Sequence, residues 1–230
     1  AMAGGAGFDE RERLGARNFA QMAKREGVRR VVYLGGLGDE SESEHLRSRH
    51  MTAEVLRTYG PPLTYFRAAM IISPGSESYE LLRSIAKRLP ALPRTGWLTA
   101  RTQPIGIRDV VAYLRAAPLV PASAGREIQI GGADVLPHLE VIARFARETG
   151  HSPPRLVPLP DGVASPGMVA AGAAGVTSGN AEVAHELALG LSGDTKVEDP
   201  SGAALFDVRP EPLNVAIQRA LAEEERAADG

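Results

Sequence analysis

The chain has 230 residues, of which 43% are hydrophobic and 23% charged, enough for one large domain or a domain with a small lobe. A formal net charge of −2 lacks the basic surplus of nucleic-acid or anionic-membrane binders, so neither partner is expected. The absence of cysteine excludes disulfides, thiolate chemistry and cysteine zinc sites.

The first predicted element is a helix from about Glu10 to Arg25, capped by Asp9 and ended by Gly27, with Leu14, Phe19, Met22 and Ala23 as its inward stripe. Arg30 to Leu34 (RVVYL) has no polar alternation, the pattern of a strand buried on both faces in a parallel sheet. An acidic, serine-rich loop from Gly38 to Glu42 leads into a helix over about Glu44–Thr58, which Gly60-Pro61-Pro62 breaks. Leu63 to Arg67 (LTYFR) is a second strand. Helices follow over Ser78–Arg88 and Arg108–Ala116, with a strand over Glu127–Ile130. Helices and strands in this alternation predict βα units, a parallel sheet and right-handed connections.

From about Gly131 the character changes. A helix is predicted from Pro137 to Glu148, and Arg155 to Leu159, set between prolines, reads as an edge strand. Small-residue helical stretches are expected around Met168–Ala174 and Ala181–Leu189, and a final helix over about Pro212–Arg226. The longest small-apolar run, Gly167 to Val176, is far short of the roughly 20 residues of a membrane helix. The N-terminus has neither the basic head nor the apolar core of a signal peptide, so a cytoplasmic location is expected. The basic pairs Arg29-Arg30 and Lys87-Arg88 sit at helix–strand junctions and read as solvated ends of elements.

Two glycine-rich segments, Gly4–Gly7 and Gly35–Gly38, are candidate phosphate cradles. A cradle needs a strand before the glycines and a helix N-terminus directly after them. Gly35–Gly38 has the strand, but the acidic loop behind it would repel phosphate. Its better reading is close backbone approach to a ligand at the carboxyl end of a strand, where open parallel sheets bind. His45, His50, His138, His151 and His185 include no pair at helical i,i+4 spacing, and no metal site is expected. No Gly-x-Ser-x-Gly elbow is present, which argues against a serine hydrolase. The most specific segment is His45-Leu46-Arg47-Ser48-Arg49, where His45 and Arg49 share one helix face. They either point together above the sheet edge or are two solvated polar residues.

RRVVYLGGLG, then SEHLRSRHMTAEVLRTYGPPLTYFRAAMIISPGS, TQPIGIRDVVAYL and REIQIGGADVLPHLEVI, resemble the atypical short-chain dehydrogenase/reductases, nearest to the NmrA-like NAD(P)H-binding group. The resemblance implies an α/β fold: a partial Rossmann domain, a doubly wound parallel sheet with its later strands only, over residues 1–130. A small, mostly helical α/β lobe on the substrate side follows over 131–230. The family's Tyr-x-x-x-Lys pair falls on His45 and Arg49, and its serine on Gly35 or Gly36. Histidine transfers protons near neutral pH, whereas arginine holds a ribose hydroxyl but stays charged. The implied cofactor side is Gly35, Gly36, Arg49, Ala68, Ala69 and Met70; the substrate side is Ile72, Trp97 and Gln103. The family's cofactor is NAD or NADP. Its first strand, glycine-rich turn and helix N-terminus, roughly 80 residues in all, would precede residue 1, at about 30 residues per βαβ unit. The chain as given is therefore expected to bind no cofactor. The implied parent is an NAD(P)-dependent oxidoreductase on a small organic substrate; the alternative is a non-catalytic NAD(P)-sensing or interaction module, and a third reading is the product of a mis-assigned start codon. Exposure of the first strand implies a homo-oligomer or strand-swapped dimer.

Overall fold

The computed structural model describes residues 8–38, 44–94, 96–158 and 193–228. The expected loop at 39–42, the glycines at 4–7 and the expected helices at 168–174 and 181–189 lie outside them.

Helix α1 (Phe8–Arg25) ends at Gly27, whose φ of +70° suits a residue without Cβ, and leads into β1 (Val31–Gly36). Helix α2 (Glu44–Tyr59) follows, then β2 (Leu63–Ala68). A two-residue strand β3 (Ile71–Ile72) precedes α3 (Glu77–Arg88). Ser76 caps α3: its hydroxyl accepts from the Tyr79 amide and donates to the Ile71 carbonyl. Next come β4 (Ala91–Pro93), β5 (Arg101–Thr102), β6 (Ile105–Gly106), α4 (Ile107–Ala116) and β7 (Glu127–Ile130). The last described elements are β8 (Leu136–Pro137), α5 (His138–Glu148), β9 (Arg155–Val157) and α6 (Leu213–Ala228).

The main sheet has the order β1-β2-β7, all parallel, with Val31 opposite Leu63 and Tyr65 opposite Glu127. Its two faces are covered by different helices, which is the doubly wound arrangement that the resemblance implies. On one face Val31, Leu63 and Tyr65 meet Ala20 and Ala23 of α1 and Ala53 and Leu56 of α2. On the other, Phe66, Ala68, Ile128 and Ile130 meet Val110 and Tyr113 of α4 and Phe206. Arg30 pins the connection after α4 to the start of β1, donating to the carbonyls of Ala117 and Val120 and to the Ser123 hydroxyl. This basic residue is a structural staple, not a solvated helix end.

One apolar cluster draws on residues from both sides of position 131. Tyr79, Leu82 and Ile85 of α3 and Leu92 of β4 pack with Val141, Ile142 and Phe145 of α5 and Leu213 and Ile217 of α6. Residues 72–98 thus join the lobe, because α3 presents its apolar stripe to α5 and not to the main sheet. Short pairs complete this part: β3 with β6 and β4 with β9 in parallel, β5 with β8 antiparallel. β9 pairs on one side only among the described residues, as expected for an edge between prolines.

The α1 stripe is a correction. Ala20 and Ala23 are buried and Ala16 is half-buried, whereas Leu14, Phe19 and Met22 are exposed. α1 lies close against α2, and only small side chains fit that seam.

Candidate functional site

The carboxyl ends of β1 and β2, with the first turns of α2 beside them, are where the candidate residues meet. Gly35 and Gly36 are the last residues of β1, and Ala68 closes β2. Arg49 lies half-buried on α2, one turn beyond His45. The side chains of His45 and Trp97 lie outside the description.

The two glycines are explained by the protein's own side chains. A Cβ on Gly35 would fall 2.7 Å from the Tyr65 hydroxyl oxygen and 2.8 Å from its ring carbon Cε2. A Cβ on Gly36 would fall 2.5 Å from Cδ2 of Leu46. Tyr65, on the same sheet face as Gly35, fills the space that a serine at this position would need. It stacks at a tilt on Tyr33, with ring centroids 5.5 Å apart, and the His50 ring lies 6.4 Å away. The Tyr33 hydroxyl is buried and lacks a hydrogen-bond partner among the described residues. His50 also pairs with Glu54 one turn on, at 3.9 Å.

Arg67 holds the same end of the sheet. Its guanidinium donates to the carbonyls of Gly36 (3.3 Å) and Gly38 (3.0 Å) and pairs with Glu127 at 3.1 Å. Glu127 in turn takes Arg57 of α2 at 3.4 Å. The chain leaving β1 is thereby fastened to β2 and β7. Tyr33, His50, Tyr65 and Arg67 were not singled out from the sequence. The only available signal was the alternation Tyr33-x-Gly35, which places an aromatic ring and a bare backbone on one sheet face.

Residues expected farther out are engaged internally. Ala68 and Ala69 are buried, and their backbone groups continue the sheet: the Leu37 amide donates to the Ala68 carbonyl, and the Ala69 amide to Ile130. Met70 packs against the lobe core, and its carbonyl accepts from the Ile105 amide. Ile72 is 1% exposed within the lobe core and is not presented to a ligand; its apolar neighbours in α3 and α5 claim it. Gln103 uses both ends of its amide, donating to the Gly132 carbonyl at 2.7 Å and accepting from the Val197 amide at 3.0 Å. It bridges two loops, using one donor and one acceptor of its amide.

Two titratable groups are strongly perturbed away from this region: Tyr79, raised by burial and its hydrogen bond to Glu224, and a histidine. His138, at the start of α5, is 2% exposed and its Nε2 has no partner among the described residues. Burial lowers its pKa to about 4, against smaller opposing effects of the Gly193 carbonyl and the Asp194 carboxylate. It is a neutral core histidine.

Gly35 and Gly36 face side chains, the nearby amides of Leu37 and Ala69 are bonded to carbonyls, and an acidic loop lies between β1 and α2 in the sequence.

No known protein family and no curated protein matches the sequence. Solved structures match in fold. A nucleoside-diphosphate-sugar epimerase from Staphylococcus aureus is 18% identical with a TM-score of 0.68, over 91% of this chain and 72% of that one. A triphenylmethane reductase from Citrobacter, complexed with NADP(H), is 14% identical with a TM-score of 0.68, over 93% of this chain and 72% of that one. The enzyme WbmH from Bordetella bronchiseptica, in complex with NAD+, is 17% identical with a TM-score of 0.63, over 93% of this chain and 68% of that one. The fold is thus the one shared by these epimerases and reductases, in agreement with the resemblance. Between a quarter and a third of each of those chains has no counterpart here.

Proposed function

We propose that this chain, which has the fold of NAD(P)-binding epimerases and reductases, forms the rear part of such a site. In the full protein it belongs to an NAD(P)-dependent oxidoreductase acting on a small organic substrate. The observation that carries this reading is the parallel sheet β1-β2-β7 with the start of α2 beside its carboxyl ends, in a fold seen with NADP(H) in the Citrobacter reductase and NAD+ in WbmH. His45 serves as the proton-transferring group and Arg49 holds a ribose hydroxyl. Residues outside these 230 supply the anion-binding amides. Alone, the chain binds NAD(P) weakly or not at all, since its own glycines are occupied by Tyr65 and Leu46.

Isothermal titration of NADH and NADPH into the 230-residue chain is expected to give no micromolar binding; micromolar affinity would sink the reading. If the reading frame ahead of Met2 encodes a strand, a glycine-rich turn and a helix, the extended chain is expected to bind the dinucleotide. It should then oxidise it with a carbonyl substrate in a manner that His45→Ala abolishes. Binding without turnover on any carbonyl would favour the second reading, a non-catalytic NAD(P)-responsive module. Replacement of the family's Tyr/Lys pair by His45 and Arg49 favours that second reading.

A further inference from the structure

Residues 193–206 run as a strap from the lobe to the main sheet, and polar groups of both parts fasten it. At its start the His138 ring donates to the Gly193 carbonyl. The Asp194 carboxylate accepts from the Arg101 amide at 2.7 Å and pairs with Lys196 at 3.3 Å. Thr195 lies alongside β5: its amide donates to the Arg101 carbonyl, its carbonyl accepts from the Gln103 amide, and its hydroxyl donates to that of Thr102. The Val197 amide donates to Oε1 of Gln103, and the amides of Glu198 and Asp199 donate to Oε1 of Gln129 on β7. Farther on, Phe206 enters the core between the sheet and α4 and anchors the strap there.

The part over 193–199 is fastened differently from the helices. Its amides go largely to side chains of other elements, Asp194, Glu198 and Asp199 are exposed, and Thr195 is the one enclosed side chain. Segments with so little apolar burial open at lower free energy than a core. Their place in the fold is also defined. Gly35, Arg67 and Gln129 are register partners across β1, β2 and β7, so the residues held by Gln129 border the carboxyl ends of β2 and β7. Open parallel sheets take ligands at that end.

His138 sits at the other end of this part, 2% exposed. With one ring nitrogen donating to Gly193, Nε2 carries the lone pair, and it has no partner among the described residues. A proton on Nε2 would be a buried donor without an acceptor, on a buried charge. The charged groups on the elements around the ring are Asp194 and Lys196 of the strap, Arg101 of β5, and Glu140 and Arg144 of α5; β8 and the turn at Gly96–Thr99 carry none. Of these, the Asp194 carboxylate acts on the ring, and burial outweighs it.

We propose that residues 193–199 are a lid latched by the neutral His138 ring, and that a proton on Nε2 releases the lid as one unit while the three apolar cores stay folded. The proton comes from solvent and stays on the ring, and only hydrogen bonds are broken. Opening admits water to the ring and uncovers the β7 end of the sheet's ligand-binding side. The inference stands apart from the cofactor reading and needs no dinucleotide. With the ring's pKa lowered from 6.5 to about 4 when the lid is closed and restored when it opens, the open population should rise roughly thirtyfold from pH 7.5 to pH 5.

Amide hydrogen exchange of the 230-residue chain, followed by NMR and corrected for the intrinsic effect of pH, tests this. At both pH values the amides of Gln103, Thr195 and Val197 should share one protection factor, lower by about a hundredfold or more than those of Tyr113 and Phe145 in the cores. From pH 7.5 to pH 5 that shared factor should fall roughly thirtyfold. His138→Gln keeps a donor for the Gly193 carbonyl but does not titrate, and should abolish the fall. Asp194→Asn should leave it in place, because the Arg101 amide holds the Asp194 carboxyl below the usual range and it stays ionised throughout. Gln129→Ala, at the far end, should lower protection at Thr195 as well as at Glu198 and Asp199. Strap amides as well protected as Phe145 would overturn the proposal, as would a fall that survives His138→Gln or vanishes with Asp194→Asn. An effect of Gln129→Ala confined to Glu198 and Asp199 would also overturn it, since the strap would then not open as one unit.

Discussion

The seam between α3, α5 and α6 and the seam between α1 and α2 are both helix–helix contacts, yet they bury different things. In the lobe, Tyr79, Phe145, Val141 and Ile217 are wholly enclosed, and Tyr79 meets Phe145 edge-on with centroids 5.2 Å apart. At the α1 seam the enclosed helix residues are mostly alanines, and the bulky side chains Leu14, Phe19 and Met22 are exposed. Large apolar burial is what holds helices together. The lobe is therefore held by its own residues. The α1 seam is a close one of small side chains, with the bulky residues of the helix turned outward.

The sharpest way to challenge this contrast is Phe145→Ala. A fully enclosed ring that meets Tyr79 edge-on is expected to cost about 3–5 kcal/mol when truncated. Urea denaturation monitored by far-ultraviolet circular dichroism measures it; a loss below about 1 kcal/mol would mean that the lobe relaxes around the hole, and that it is not the rigid half.

Next in size is an effect of pH in the same half. His138 is buried neutral, with its pKa lowered from 6.5 to about 4, chiefly by loss of solvent. In the unfolded chain it takes up a proton near 6.5, so between about 4 and 6.5 the unfolded state binds more protons than the folded one. Stability contributed by the neutral ring is complete above pH 6.5, falls as the pH drops through that window, and is gone below about 4. At 1.36 kcal/mol per pKa unit the window amounts to about 3 kcal/mol. Urea midpoints measured from pH 7 to pH 4 should decline more steeply for the natural chain than for His138→Leu. Equal slopes would show that the ring is hydrated in solution.

The contrast also explains what could be read from the sequence and what could not. The long elements were legible: β7 falls on 127–130 as expected, and α2, α3, α4, α5 and α6 differ from their expected limits by one or two residues. Their apolar periodicity extends over enough positions to be unambiguous. The strands β3, β5, β6 and β8 were not legible, because two residues cannot display alternation. The α1 stripe misled for a different reason. Its sequence offers one arc with Leu14, Phe19 and Met22 and another with Ala16, Ala20 and Ala23, and periodicity does not say which arc α2 meets. At the candidate site, Gly35 looked like room for a ligand. Its occupant is Tyr65, a residue 30 positions away whose approach depends on strand register. Gln103 looked like an available polar side chain for the same reason: its partners, Gly132 and Val197, come from distant loops.

Restoring the missing Cβ at Gly35 separates the two views of that residue. With Tyr65 oxygen and ring carbon both under 3 Å from the new atom, Gly35→Ala is expected to destabilise by about 1–3 kcal/mol. Combined with Tyr65→Leu, the penalty should shrink, giving an interaction energy in a double-mutant cycle. Gly36→Ala meets only the flexible end of Leu46 and should cost less. Equal penalties in the presence and absence of the Tyr65 ring would remove the explanation.

The smallest effect is the most telling about the α1 seam. Phe19→Ala removes as large a ring as Phe145→Ala, but from a side chain 58% exposed, with no place in any of the three cores. The isolated chain should lose no more than about 0.5 kcal/mol, the range of ordinary surface substitutions. If no second copy covers the ring, the figure should not change between dilute and concentrated protein. A cost of several kcal/mol that grows with protein concentration would show that the ring is already covered by another copy. The outer side of α1 would then be as enclosed as the lobe, and the contrast between the two seams would vanish.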